Sequence, residues 1–252
     1  MPGAWLKRLS GPSAPRHRLV CLPYAGGAAR IFRGWPARLP QDVEVLAAEP
    51  PGHGTRIAEP PIADMRALVA PLAGELSPDR EYVLYGHSMG ALVAYELGRE
   101  LRRRHGTGPT ALLVSGRDAP ELPAPPPHLH DLPDAELTEA LERFGGTPAS
   151  VLQTPDLMEL FLPVIRADLT VAETYRPTAE PPLGCPVRVY SGGSDPLVTD
   201  AGLDAWRAES DGDFRLRRFD GDHFFLAARE DALLNAIADD LRSVRSANGG
   251  GN

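Results

Sequence analysis

Cysteine is scarce: Cys21 and Cys185 are the only two in 252 residues. That excludes a disulfide framework, and their positions, in one predicted strand and just ahead of another, suit reduced, packed thiols in a cytoplasmic protein. No stretch reaches 18 apolar residues, and the opening Met1-Pro2-Gly3-Ala4-Trp5 resembles neither a signal peptide nor a membrane anchor. A soluble chain with no membrane contact is expected. Lysine is nearly absent too, since only Lys7 among 26 basic residues is one, a bias that says little about chemistry. Acidic residues are in excess, and the net charge of -8 argues against a nucleic-acid partner. Neither a zinc-ligand spacing nor a phosphate-binding loop occurs, so no metal and no cofactor is expected.

What is present is an alternation of strand and helix patterns that favours a single α/β domain with an ample core. Strands are predicted at 5–9, 18–22, 43–47, 82–85, 111–115, 187–190 and 214–219. Met65, Leu68, Val69, Leu72 and Leu76 trace one apolar helical stripe, and Leu233, Leu234, Ile237 and Leu241 trace another within 230–244. Residues 119–182 interrupt this rhythm as an insertion bracketed by prolines. Asp134 is a candidate cap for a helix carrying Leu137, Leu141 and Phe144, and Thr154-Pro155 opens another that runs to Leu169. Two such helices over the carboxyl edge of the sheet would form a lid and line a ligand cavity.

The run Glu81-Tyr82-Val83-Leu84-Tyr85 leads into Gly86-His87-Ser88-Met89-Gly90 and then an apolar helical pattern. This strand–turn–helix with G-x-S-x-G is a nucleophile elbow, a tight corner that points the serine hydroxyl above the sheet while small flanking residues let backbone pass. A serine hydroxyl needs a general base, and the base needs a carboxylate to hold it. Of seven histidines, His87 points off the elbow beside the serine, whereas His223 lies in a loop between a predicted strand and a helical pattern, in Gly221-Asp222-His223-Phe224-Phe225, and is the candidate base. By the same logic Asp195, in the loop Ser191-Gly192-Gly193-Ser194-Asp195 after another strand, is the candidate acid. Asp222 adjoins His223 in sequence, but adjacent side chains diverge; Asp200 and Asp204 look like a helix cap and an exposed helical position. The order Ser88, Asp195, His223 is that of the α/β-hydrolases.

With these segments in hand, the chain resembles the type II thioesterases that accompany polyketide synthases and nonribosomal peptide synthetases. Carrying the likeness are Leu22-Pro23-Tyr24-Ala25-Gly26-Gly27, Pro51-Gly52-His53-Gly54-Thr55-Arg56, the elbow, Arg166-Ala167-Asp168-Leu169, and the loops that bear Asp195 and His223. One departure is His53, where the family more often carries arginine. The resemblance implies an α/β-hydrolase fold, with a mostly parallel central sheet, flanking helices and a helical lid insertion at 119–182 in a single domain. It implies a serine hydrolase acting on acyl groups held by the phosphopantetheine arm of carrier protein domains, where it clears stalled or aberrant starter units. The oxyanion would be held by the backbone N–H groups of Met89, which follows the nucleophile, and of Ala25. A monomer is expected. A medium-chain fatty acyl thioesterase, a generic carboxylesterase and a non-catalytic module that binds acyl-carrier proteins are the alternatives. Arg30 and Arg33, and less well placed Arg215, Arg217 and Arg218, are candidate contacts for an acidic carrier.

Overall fold

The computed structural model describes residues 5–15, 17–124, 126–147 and 149–248. Strands form wherever the sequence pattern placed them: β1 Leu6–Ser10, β2 His17–Leu22, β3 Val43–Ala48, β4 Val83–His87, β5 Ala111–Ser115, β6 Cys185–Gly192 and β7 Ser210–Phe219. They join in one sheet of order β1-β3-β2-β4-β5-β6-β7. β1 runs antiparallel to β3, and the other pairings are parallel.

The central strands read as unbroken apolar runs because both of their faces are covered. Side chains alternate across a strand, so Leu84 of β4 joins Val20, Leu22, Leu112, Val114, Val187 and Val189 in one layer. That layer is closed by α1 (Met65–Glu75) and α2 (Met89–His105). Val83 and Tyr85 face the opposite layer with Leu19, Cys21, Leu113 and Tyr190, closed by Leu233, Leu234, Ile237 and Leu241 of the C-terminal helix Glu230–Asn248. Both cysteines are buried and free, one in each layer, which is why they cannot meet.

The insertion between β5 and β6 carries α3 (Asp134–Phe144), α4 (Ala149–Leu152) and α5 (Pro155–Thr174). Thr154 and Pro155 open α5 as expected, whereas Asp134 is the first residue of α3 and Pro133 takes the cap position. The expected cap at Asp200 is also displaced by one: Thr199 caps α6 (Asp200–Ala205), its hydroxyl accepting the Gly202 N–H at 2.9 Å. The insertion does not pack as one body. Val171 and Ala172, late in α5, belong to the main core, while Met158 and Leu162, early in α5, form a small separate cluster with Leu137 of α3. The short α7 (Phe225–Ala228) and the long α8 (Glu230–Asn248) complete the chain. Among the described residues no helix is long and apolar enough to cross a membrane.

Candidate active site

Ser88 stands between β4 and α2 with φ 55° and ψ −116°, the one positive-φ residue other than glycine among those described. Such a conformation costs about 1–3 kcal/mol and persists where the surroundings over-determine it. Here they do: Ser88 N–H donates to the Ser115 carbonyl at 2.8 Å, and the Ser88 carbonyl accepts Ala91 N–H at 3.0 Å. A Cβ on Gly86 would overlap the Gly90 carbonyl, and one on Gly90 would overlap the Leu22 carbonyl. The two glycines of the motif therefore let the helix start close against strand backbone. Met89 opens α2, so its N–H has no intrahelical acceptor.

The loops after β6 and β7 bring Asp195 to His223. Asp195 Oδ2 lies 2.8 Å from His223 Nδ1, and Oδ1 accepts the Leu197 N–H at 2.9 Å. Both residues are buried. A carboxylate facing Nδ1 places the ring proton there and leaves Nε2 with a lone pair. Gly192, at the end of β6, permits this approach, since a Cβ on it would overlap the Asp222 carbonyl. Asp222 itself is exposed and accepts the Phe224 N–H at 2.9 Å in a local turn, away from the imidazole.

Two residues to which the sequence assigns no role shape the same space. His87, next to Ser88, is fully buried with its ring centroid 4.9 Å from that of His223, and its Nδ1 lies 2.9 Å from Ser115 Oγ. Burial, and secondarily the neighbouring His223, push its pKa well below the usual histidine value, so it is neutral. Gly116, just past β5, has φ +61°; a Cβ there would lie 2.7 Å from His87 Cε1 and 3.3 Å from His223 Nδ1. No motif marks it, because its neighbours come from two other loops.

Facing the elbow is the loop after β2. Gly27 N–H donates to the Tyr24 carbonyl at 2.8 Å, and Gly26 N–H donates to Asp168 Oδ2 at 2.7 Å. His53, in the turn after β3, sets Nε2 at 2.8 Å from the same Asp168 oxygen and Nδ1 at 3.0 Å from the Pro51 carbonyl. Burial lowers the His53 pKa, but the bond and charge of Asp168 and the backbone carbonyls outweigh it and leave it raised. The sequence placed Asp168 in a conspicuous segment without giving it a role. A cleft of about 670 Å³ opens beside this loop, lined by Tyr24, Ala25, Gly26, Arg30 and Arg33 and, from the insertion, by Thr147, Val151, Phe161 and Ile165. That is ample for an acyl chain and part of its carrier arm.

Arg30 and Arg33 are exposed and form no ion pair among the described residues. The other arginine cluster is engaged: Arg215 and Arg217 reach Asp240 at 3.4 and 3.3 Å, and Arg218 reaches Asp200 at 2.8 Å. Among the described residues His128, His130 and Asp131 bring potential metal-ligating atoms within 4.8 Å. However, His130 Nδ1 is held by Glu173 at 2.5 Å and His128 Nε2 lies 3.3 Å from the Ala124 carbonyl, so the group serves as a hydrogen-bonded turn of the insertion.

Residues 17–241 match the family model described as thioesterase domain. The linear gramicidin dehydrogenase LgrE of Brevibacillus parabrevis is 37% identical over 96% of this chain and 94% of its own length. Among solved structures, RedJ, a thioesterase from the prodiginine biosynthetic pathway in Streptomyces coelicolor, is similar with a TM-score of 0.85 and 39% identity, covering 90% of this chain and 91% of RedJ. BorB, the type II thioesterase from the borrelidin biosynthetic cluster, has a TM-score of 0.84 and 38% identity, over 95% of this chain and 98% of its own.

Proposed function

We propose, given that this chain belongs to the thioesterase family and hydrolyses thioester bonds, that it removes acyl groups from the phosphopantetheine arm of carrier proteins in polyketide or nonribosomal peptide biosynthesis, through an acyl-enzyme on Ser88. The observation that carries this reading is the buried Asp195–His223 pair set at strand ends beside a strained serine corner. Ser88 Oγ attacks the thioester carbonyl while its proton passes to His223 Nε2, and Asp195 holds the tautomer and steadies the imidazolium. The carbonyl oxygen becomes an oxyanion between the N–H groups of Met89 and Ala25. As the intermediate collapses the C–S bond breaks, the proton on Nε2 goes to the departing thiolate, and Ser88 carries the acyl ester. Water then attacks, its proton is taken by His223 and returned to Ser88 Oγ, and the free acid leaves. LgrE is named as a dehydrogenase, yet this sequence has no G-x-G-x-x-G run after a strand to cradle a dinucleotide.

The arm, some 20 Å long when extended, reaches the serine when its carrier docks at the cleft mouth. Arg30 and Arg33 supply the local positive charge there, against a net charge of -8 that would repel an acidic carrier at long range. The enzyme acts as a cytoplasmic monomer in this reading. The test compares acyl carrier with acyl pantetheine as substrates. Ser88→Ala abolishes both reactions with the fold intact. The carrier advantage in kcat/KM shrinks with added salt and with Arg30→Glu or Arg33→Glu, while pantetheine turnover holds. Equal kcat/KM for the two donors at low salt would overturn the carrier assignment in favour of a general acyl thioesterase.

A further inference from the structure

We infer that Asp168 and His53 are positioning residues for the oxyanion hole, holding the peptide on the far side of Ala25 so that the Ala25 N–H stays aimed at the reacting oxygen. This rests on Ala25 being an oxyanion donor, as proposed above. A trans peptide is planar, with its carbonyl and N–H on opposite edges. The plane joining Tyr24 to Ala25 is held through its carbonyl, which accepts Gly27 N–H at 2.8 Å; the Ala25 N–H therefore points the opposite way. The plane joining Ala25 to Gly26 is held through its N–H, given to Asp168 Oδ2 at 2.7 Å. Among the described residues no hydrogen bond uses the Ala25 N–H itself. The free donor thus belongs to one anchored peptide and is followed directly by another.

One of those two anchors comes from the insertion. Asp168 lies on α5, 142 positions from Gly26, and is 1% exposed. One turn earlier on the same helix face Ile165 packs on the loop, so closely that a Cβ on Gly26 would lie 2.9 Å from Ile165 Cγ1, and Gly26 takes φ +75°. A carboxylate this deeply buried needs a cation. His53 supplies it: Nε2 faces Asp168 Oδ2 and Nδ1 faces the Pro51 carbonyl, which can only accept. Both ring nitrogens of His53 thus face oxygen acceptors, an arrangement that the doubly protonated ring satisfies. The hydrogen bond to Gly26 is then charge-assisted, the stronger kind. The oxyanion loop is tied by one oxygen atom to both α5 and the turn after β3.

The test uses the full-length enzyme, a small acyl pantetheine substrate and two ligands. One is a trifluoromethyl ketone analogue, whose adduct with Ser88 places an oxyanion in the hole; the other is a thioether analogue of the substrate, which cannot form one. Loss of an oxyanion donor costs roughly 10²–10³ in kcat, so a donor knocked out of aim in Asp168→Asn or His53→Gln should lower kcat by roughly 10-fold or more with KM within about twofold. The ketone should weaken in proportion while the thioether binds as in wild type, a split that simple loosening of the fold would not produce. Wild-type kcat and ketone affinity in both variants would overturn the inference, as would equal weakening of ketone and thioether. Asp168→Ala should be the more damaged, and if it fails to fold the two near-isosteric variants decide. Failure of the serine mechanism itself would show separately, as residual turnover by Ser88→Ala.

Discussion

Replacing Gly116 with alanine should disable turnover by steric pressure on the imidazoles more than it harms the fold. The added methyl would lie 2.7 Å from His87 Cε1 and 3.2 Å from His223 Cε1. Unstrained carbon contacts are about 3.5–4.0 Å, so the His87 ring must give by about 1 Å and the His223 ring by a few tenths. His223 is held by its 2.8 Å bond to Asp195, and His87 by its 2.9 Å contact with Ser115 Oγ, so neither ring is free to swing. Catalytic groups tolerate displacements of about 0.5 Å, and a misplacement of about 1 Å can cost roughly 10²-fold. We expect kcat to fall by roughly 10- to 100-fold. Placing alanine at positive φ also destabilises the fold by about 1–2 kcal/mol. Gly106→Ala is the matched control: its φ is +77°, but nothing lies within 4 Å of the new Cβ. Steady-state kinetics and denaturant midpoints of the two variants separate strain from steric pressure. A Gly116→Ala enzyme with kcat within about twofold of wild type, or an equal loss in Gly106→Ala, would refute the reasoning.

Two further outcomes follow from buried charges. Asp240, with 0% exposure, accepts from Arg188 Nε at 3.1 Å and from the Tyr190 hydroxyl at 2.9 Å and also draws in Arg215 and Arg217. Asp240→Leu leaves the buried Arg188 guanidinium with Asp213, 2.7 Å away, as its remaining carboxylate and the Tyr190 hydroxyl without its acceptor, and should cost about 1–3 kcal/mol in urea unfolding; a loss under about 0.5 kcal/mol, or a drop in kcat of the folded enzyme, would contradict this. The raised pKa of His53 fixes a sign for pH. The carboxylate of Asp168 faces it, and Arg30 shares the adjoining groove. Its contribution to stability is complete below the unfolded histidine value of about 6.5 and is lost as pH rises through the folded value. The stability gap between wild type and His53→Gln should therefore narrow on the alkaline side; a gap that widens with pH would be the wrong sign.

The parts of the protein that were legible in the sequence are those with a local signature. Short apolar runs located the seven strands of the described sheet, and two glycines around a serine located the elbow, because the crowding they relieve lies within five residues. The pairing of Asp195 with His223 was legible because each follows a strand closely, so knowledge of the sheet is enough to bring them together. Asp168 has no such signature: it sits mid-helix among apolar residues, and its partners are a loop and a turn far earlier in the chain. Gly116 is likewise defined only by two imidazoles arriving from elsewhere. The sequence offers the arginines of β7 as candidate carrier contacts, yet two of them converge on an aspartate of the last helix, a pairing that strand periodicity cannot reveal. Cap positions slipped by one residue at 134 and 200, where two adjacent residues could each begin the helix.

The divided packing of the insertion has a consequence for how substrate preference can change. The cleft has one wall from the stretch between α3 and α5, through Thr147, Ser150 and Val151, and another from α5 itself, through Phe161 and Ile165. The first wall packs through Val151 on the small apolar cluster that α3 shares with the start of α5, whereas the second lies on the stretch of α5 that leads to the carboxylate bonded to Gly26. Natural drift or laboratory selection for a different acyl chain can therefore reshape 147–151 while the chemistry runs undisturbed. Each change along 161–168 instead retunes selectivity and rate together. Gly146 marks the border: a side chain there would strike the Phe224 ring, which lies edge-on to His223. Chimeras exchanging the first wall between homologues would inherit the donor's chain-length preference and keep the recipient's turnover.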